Sequence, residues 1–145
     1  LILMKMKKIL ITVMVLLCFA LRGYGQTKAE KQIIGKWCNP YTYQSTGELK
    51  GFEFKKGGKC SAINIPVYDL RTWKIDEEGY LIIDGFSKED SDEMQPFHSR
   101  ERIGYLSEDS LELVSREKNP RLVFLYINAK KIKKLVTPEV APKEE

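Results

Sequence analysis

The sequence has little of the residue types on which many catalytic and metal sites depend. It contains one histidine, His98, and three cysteines among 145 residues. Without a second histidine or a partner cysteine, His98 does not indicate a structural metal site. No nucleophile-elbow motif supports a Ser-His-acid triad around it. We therefore expect no catalytic residues, no metal site and no cofactor, and we interpret His98 as an ordinary surface or rim residue.

Excess charge of one sign is also absent once the N-terminal segment is set apart. The whole chain has 24 Lys+Arg and 20 Asp+Glu, but residues 1–25 hold four of the basic side chains and none of the acidic ones. The remaining 120 residues therefore carry 20 basic and 20 acidic groups. This balance excludes a nucleic-acid binder that works through bulk positive charge. A length of 120 residues suits one domain with a sizeable core.

The longest hydrophobic run lies within the first 25 residues. The basic segment Met4–Lys8 precedes an apolar run, Ile9–Leu21, that is too short for a comfortable membrane span. Small residues then occupy the two positions that a leader peptidase reads, which predicts cleavage before Gln26. We expect a signal peptide over residues 1–25 and a periplasmic or secreted mature protein with no transmembrane segment.

The cysteines leave two questions open. Cys18 offers a lipoprotein alternative, but Leu17 stands where the processing site needs a small residue. Cys38 and Cys60 fall on the outward faces of the first and third predicted strands. Two strand spacings of about 9–10 Å exceed the roughly 7 Å that a disulfide spans, so we favour separate thiols.

After the leader, the sequence shows neither an internal repeat nor an amphipathic helix of useful length. Short β-rich runs recur between turn signals about every 8–12 residues, which is the all-β pattern. We expect a helical lead-in over residues 26–33, a barrel over 34–129 and a basic, Pro-rich, solvated tail over 130–145. The eight predicted strands are Gly35–Asn39, Gly51–Lys56, Lys59–Ile65, Leu70–Asp76, Tyr80–Ser87, His98–Leu106, Ser110–Arg116 and Arg121–Ala129.

The connections between these runs alternate in length. Gly57-Gly58, Glu77–Gly79 and Glu108-Asp109 are tight, whereas Pro40–Lys50 and Lys88–Phe97 are long. In an up-and-down sheet, alternate connections lie at the same end, so hairpins would close one end and longer loops would ring the other. This pattern predicts an eight-stranded up-and-down antiparallel β-barrel shaped as a cup, with room for side chains or one small ligand.

Several motifs on these strands resemble those of lipocalins. Gly35-Lys36-Trp37 is similar to the G-x-W signature that opens the family. Three further stretches resemble small secreted lipocalin-like proteins of Gram-negative bacteria: Gly51–Phe54, Arg71–Ile75 and Asp109–Leu113. The resemblance implies that Trp37 plugs the closed end of the barrel. It also implies a basic residue packed across that tryptophan, and Lys130 stands where the family usually has arginine.

Strand parity then predicts the barrel interior. Side chains alternate across a strand, so the aromatic positions mark the inward face. A two-residue Gly57-Gly58 turn would pair Phe54 with Ser61 and Phe52 with Ile63. The same parity places Arg71 inside with Trp73. The parity of the sixth strand is open, and Ile103 and Tyr105 inward would also place Glu101 inside. Arg71 and Glu101 would then anchor a ligand or form an internal ion pair, or Arg71 would simply reach water at the open end. The predicted ligand-binding residues are Tyr41, Tyr43, Phe52, Phe54, Arg71, Trp73, Tyr105, Phe124 and Tyr126.

Two functions remain open from the sequence. The first is non-catalytic binding of a small apolar or amphipathic molecule by a monomer, with Tyr41 and Tyr43 as a lid and Arg71 and Tyr105 orienting the ligand. The second is a barrel filled by its own aromatic side chains, which would act as an interaction module for envelope proteins or polysaccharide through its loops.

Overall fold

The computed structural model describes residues 2–23, 27–115 and 122–139, with the side chains of residues 15–23 left out. The cleavage site predicted before Gln26 therefore lies outside the described residues. So do the side chain of Cys18 and the predicted connection Glu117–Pro120.

The chain forms two compact units, residues 1–31 and 32–145. The first contains helix α1 (Ile2–Gly23) and the start of helix α2 (Lys28–Ile33). Thr27 Oγ1 accepts a hydrogen bond from the amide of Glu30 and so caps the lead-in helix. Within the described ranges, no helix combines the length and apolar character that a membrane crossing needs.

The second unit contains a closed antiparallel barrel in which neighbouring strands follow the chain order, and this confirms the predicted fold class. Each strand begins and ends within a few residues of its predicted bounds. The strands are β1 (Gly35–Cys38), β2 (Gly51–Lys55), β3 (Lys59–Ile63), β4 (Tyr68–Ile75), β5 (Tyr80–Ser87), β6 (Gln95–Leu106), β7 (Ser110–Ser115) and β8 (Leu122–Asn128).

The hairpin between β2 and β3 is one residue longer than predicted. Lys55 pairs with Lys59, so the turn spans residues 56–58, and Gly57 and Gly58 both adopt positive φ angles of 89° and 78°. The inward pairs are consequently shifted by one residue: Phe54 faces Cys60 instead of Ser61, and Phe52 faces Ala62 instead of Ile63. The predicted outward orientation of Cys60 is therefore wrong, because a one-residue slip reverses the faces of a strand.

The closed end of the barrel is filled by large side chains. Trp37 is 1 % exposed, and its indole Nε1 donates a hydrogen bond to the carbonyl of Ile33 at 2.7 Å. Phe54 and Trp73 pack edge to face with ring centroids 5.7 Å apart. Trp37 thus occupies the plugging position that the resemblance implies. Lys130 does not share that core, because its side chain is exposed, and the buried Ile33 belongs to the same cluster as Trp37 instead.

Two short helices cover the outer face of the barrel where its first and last strands meet. Helix α3 (Pro40–Thr46) follows β1, and helix α4 (Ala129–Leu135) follows β8. Their side chains form a second apolar cluster, whose buried members are Cys38, Tyr43, Ile127 and Ile132. The prediction of a solvated tail is wrong for its first turns, because Ile132 is fully buried.

Candidate ligand-binding cup

A cavity of about 520 Å³ opens at the barrel end that carries the longer connections. Its walls come from strands β2, β4, β5, β6, β7 and β8, whose inward residues alternate with outward ones. We call this cavity the cup. Its lining side chains include Phe52, Tyr68, Ile83, Glu89, Phe97, Ser99, Glu101, Leu113, Ser115, Phe124 and Tyr126.

Aromatic rings form much of the cup wall. Phe52 and Tyr126 meet edge to face with centroids 5.5 Å apart, and Tyr68 and Phe97 lie 5.2 Å apart at an angle of 58°. Phe124 adds a fifth ring and keeps 37 % of its surface exposed. Edge-to-face packing is an energetically favourable arrangement of two aromatic rings, and it leaves ring faces available to a ligand.

Hydroxyl and carboxylate groups interrupt this apolar lining. The Tyr68 hydroxyl donates a hydrogen bond to Glu89 in the connection between β5 and β6. Burial, and then this hydrogen bond, raise the pKa of Tyr68. Burial also raises the pKa of Tyr126 to about 12, with a smaller contribution from the charge of Glu101. Both phenols are therefore neutral hydrogen-bonding groups at physiological pH.

Arg71 does not face the cup, and a β-bulge is the reason. Leu70 pairs with Gly85 and Thr72 with Asp84, so Arg71 is an extra residue between two regular pairs. The bulge allows both Leu70 and Trp73 to point inward, although they are three positions apart. Arg71 instead extends into solvent, with its side chain 62 % exposed and its Nη2 2.7 Å from Asp69 Oδ2. The prediction that Arg71 points inward and anchors a ligand is therefore wrong.

Tyr105 is turned outward by a second bulge. Ile103 pairs with Leu113 and Tyr105 with Glu112, which leaves Gly104 as the extra residue. Tyr105 is 56 % exposed on the outer face, whereas Ile103 packs against the core. Glu101, on the regular part of β6, does line the cup as parity predicts.

Tyr41 and Tyr43, the two residues of the predicted lid, do not line the cup. Tyr43 is buried beside Cys38 and Ile132 on the outside of the barrel, and Tyr41 is 67 % exposed on α3. The sequence contained the signals for this helix: Asn39 as N-cap, Pro40 at the first position and Gly47 at the end. Asn39 Oδ1 accepts hydrogen bonds from two amides of the first turn.

The other predicted residues divide between the cup and its floor. Phe52, Phe124 and Tyr126 line the cup, while Phe54 and Trp73 are buried in the core cluster that contains Trp37. The barrel is therefore filled at one end and hollow at the other.

Sequence reasoning missed Tyr68 and Phe97 because β4 begins two residues, and β6 three residues, before their predicted starts. Parity counted back from Glu101 would have placed both Ser99 and Phe97 on the inward face.

The two thiols of the barrel are separate and buried. Cys38 and Cys60 are free and buried, Cys38 in the outer cluster and Cys60 in the core. Burial raises the pKa of each thiol to about 11. The favoured absence of a bridge agrees with this geometry, although Cys60 faces inward and not outward.

His98 lies on the outer face of β6, where its Nδ1 is 2.5 Å from Asp84 Oδ1. The side chain is 62 % exposed, in agreement with its interpretation as a surface residue. Across residues 2–23, 27–115 and 122–139, no three ligating side chains converge on a metal-sized site.

A closed eight-stranded up-and-down barrel, plugged by tryptophan at one end and hollow at the other, defines the class of this protein. The model of the lipocalin-like family matches residues 29–129, and the chain belongs to that family. The fold is similar to the 1.95 Å crystal structure of a lipocalin-like protein from Bacteroides thetaiotaomicron VPI-5482, with a TM-score of 0.56. The two chains are 26% identical, and the similarity covers 66% of this chain and 95% of the other. No curated protein matches the sequence.

Proposed function

We propose that this protein binds a small apolar or amphipathic molecule in the cup and performs no chemistry on it. The observation that carries the proposal is the cavity itself, because about 520 Å³ lies within the range of small-molecule sites. Family membership supports the same function, since the lipocalin-like fold is a binding fold. The leader sequence supports a further part of the proposal, that the protein acts in the periplasm or outside the cell.

Affinity would come mainly from burial of apolar surface. Phe52, Phe97 and Phe124 offer ring faces, and Ile83 and Leu113 offer aliphatic surface deeper in the wall. Each Å² of apolar surface removed from water contributes about 25 cal/mol before the entropic cost of binding is subtracted. The buried floor of Phe54 and Trp73 limits how far a ligand enters. A molecule longer than the cup must therefore leave one end at the mouth.

The test uses a neutral fluorescent probe, N-phenyl-1-naphthylamine, titrated into the purified protein. We expect saturable fluorescence enhancement that Phe124→Ala weakens by about tenfold, because one buried aromatic contact is worth roughly 1–2 kcal/mol. Phe86→Ala is the matched control, since Phe86 is 39 % exposed on the outer face of β5 and should leave binding unchanged.

Native mass spectrometry of the same protein provides an independent measurement. Extra mass that is lost on denaturation would identify a natural ligand. Equal binding of the probe by wild type and Phe124→Ala would contradict the assignment of the cup. It would favour the alternative in which the barrel acts through its loops as an interaction module for envelope proteins or polysaccharide.

A further inference from the structure

The aromatic rings of the cup form two groups on opposite sides of the barrel. Phe52 on β2 packs against Tyr126 on β8, and these two strands flank β1. Tyr68 on β4 packs against Phe97 on β6, and these two strands flank β5. In a closed ring of eight strands, β1 and β5 lie across the barrel from each other. Two aromatic walls therefore face each other across the cavity.

The two walls approach each other at their tyrosines. Tyr126 is one of the groups that raise the pKa of Tyr68, although β4 and β8 lie on opposite sides of the barrel. An electrostatic effect of this kind weakens with distance, so the two phenols come close across the cup. A cavity that is bounded in this way fits a flat molecule better than a bulky one.

The hydroxyl groups of the cup give the ligand a second requirement. The Tyr68 hydroxyl already donates a hydrogen bond to Glu89. The hydroxyls of Tyr126, Ser99 and Ser115 line the same cavity and, within the described residues, donate to no group of the protein. A hydroxyl in an aromatic cavity favours a ligand that supplies an acceptor, because a ligand without one displaces water and leaves the donor unpaired.

The ionisable groups around the cup are already engaged. Glu89 accepts from Tyr68, and Glu101 also has an interaction partner. Arg100 and His98 border the cavity, but their charged groups are held on the outside of the barrel by neighbouring carboxylates. An ionised ligand would therefore lose its hydration without gaining a free counter-ion from the described lining, which is costly.

We propose that the cup selects a flat, uncharged ring compound with a hydrogen-bond acceptor, such as an aromatic ketone, over a flexible chain of similar hydrophobicity. This inference rests on the proposed function, because it assigns a ligand class to the same cavity. The ring would lie between the two aromatic walls, where stacked or edge-to-face contacts are favourable, and the acceptor would bind the Tyr126 hydroxyl. A rigid ring also loses no internal rotation on binding, whereas a flexible chain does.

The first experiment compares two uncharged methyl ketones of similar hydrophobicity, the flat 2-acetylnaphthalene and the flexible nonan-2-one. Each is titrated into the purified protein in an isothermal titration calorimeter. We expect 2-acetylnaphthalene to bind at least tenfold more tightly. Proton NMR of the bound ketone provides a direct test of its position, because protons that lie over the faces of aromatic rings shift upfield.

Variants of the two walls then assign this preference to particular rings. Phe52→Leu and Phe97→Leu each keep an apolar side chain but remove a ring from one wall. Each should lower the ratio of the affinity for 2-acetylnaphthalene to the affinity for nonan-2-one severalfold. Because the two residues lie on different walls, one variant keeps the test available if the other fails to fold. Phe86→Leu is the matched control, since Phe86 lies on the outer face of β5.

A third ligand tests the hydrogen bond from Tyr126. 2-Ethylnaphthalene has the same ring system as 2-acetylnaphthalene but lacks the carbonyl acceptor. Tyr126→Phe should weaken binding of 2-acetylnaphthalene severalfold and leave binding of 2-ethylnaphthalene unchanged. Tyr105→Phe removes a hydroxyl from the exposed outer face and should affect neither ligand.

The outcomes separate this inference from the proposed function. Equal affinity for the two ketones, or tighter binding of nonan-2-one, would overturn the ring preference while the cup remained a ligand site. An unchanged affinity of Tyr126→Phe for 2-acetylnaphthalene, or an equal loss for both naphthalenes, would overturn the assigned hydrogen bond. Failure of these ligands and of N-phenyl-1-naphthylamine alike would overturn both proposals.

Discussion

At the scale of single residues, Asp76 organises the turn between β4 and β5 with one carboxylate. Its Oδ1 accepts hydrogen bonds from the amides of Glu78 and Tyr80 at 3.0 and 2.9 Å. Its Oδ2 lies 3.2 Å from Nε of Arg100, whose guanidinium covers the Tyr80 ring. The amide of Tyr80 is the main cause that lowers the pKa of Asp76, and Arg100 and the amide of Glu78 add to it.

The depressed pKa predicts how stability depends on pH. A carboxyl group whose pKa is lower in the folded state stabilises that state above its unfolded pKa of about 3.9, and this contribution is lost as pH falls through the folded value. Asp76→Asn keeps an acceptor oxygen but removes the charge. We expect the variant to be less stable than wild type at pH 7 and the difference to shrink below about pH 4.

Urea unfolding at pH 7, 5, 4 and 3 measures this difference. Glu77→Gln, in the same turn, should show no such narrowing, because its exposed side chain is outside the network around Asp76. A stability difference between wild type and Asp76→Asn that stays constant across the series would contradict the role given to the carboxylate.

At the scale of strands and helices, the sequence showed which segments form strands, but it did not show the bulges in β4 and β6. Turn residues and β-rich runs mark where strands begin and end, and those bounds were nearly correct. A bulge adds one residue without changing composition, so alternation counted through Arg71 or Gly104 fails from that point onward. Both predicted polar anchors, Arg71 and Tyr105, were misplaced for this one reason.

Next to the bulge in β4, the backbones of β4 and β5 lie unusually close together. A Cβ atom added to Gly85 would lie 2.4 Å from the carbonyl oxygen of Asp69 and 2.7 Å from Cα of Leu70. Backbone atoms cannot move aside as a side chain does. We therefore expect Gly85→Ala to lower the free energy of unfolding by about 1–3 kcal/mol, which is the typical cost of overpacking.

Gly104→Ala is the matched control for chemical denaturation of this variant. The Cβ at position 104 would meet side-chain atoms of Val114 and Glu112 at 3.0 and 3.1 Å, and these can rotate away. We expect its cost to stay below about 1.5 kcal/mol. If the two variants were equally stable, the close approach of β4 and β5 would not restrict residue 85.

At the scale of the whole molecule, the barrel closes through one of its shortest strand pairings. Two residue pairs join β1 to β8, Trp37 with Asn128 and Cys38 with Ile127, whereas β5 and β6 share eight. Helix α4 compensates on the outside by inserting Ile132 into the cluster around Cys38. The residues that follow the last strand are thus part of the closure of the barrel.

This arrangement predicts that the stability of the barrel depends on the helix after its last strand. Ile132 is fully buried, so Ile132→Ala should lower the free energy of unfolding by about 2–5 kcal/mol. Lys133→Ala, at the exposed neighbouring position, should change it by less than about 0.5 kcal/mol. Urea titration followed by tryptophan fluorescence measures both values. Equal unfolding midpoints for Ile132→Ala and Lys133→Ala would contradict the role of α4 in closing the barrel.

The pairing of the first strand with the last also determines the timing of folding. Trp37 pairs with Asn128, and nearly the whole barrel sequence lies between these two residues. Contacts between such distant parts of a chain make folding slow, and until they form, β1 and β8 each present an unpaired edge. A nascent chain that ends before β8 is therefore open along one side, and the tryptophan plug becomes fully enclosed only after the final strand has been synthesised.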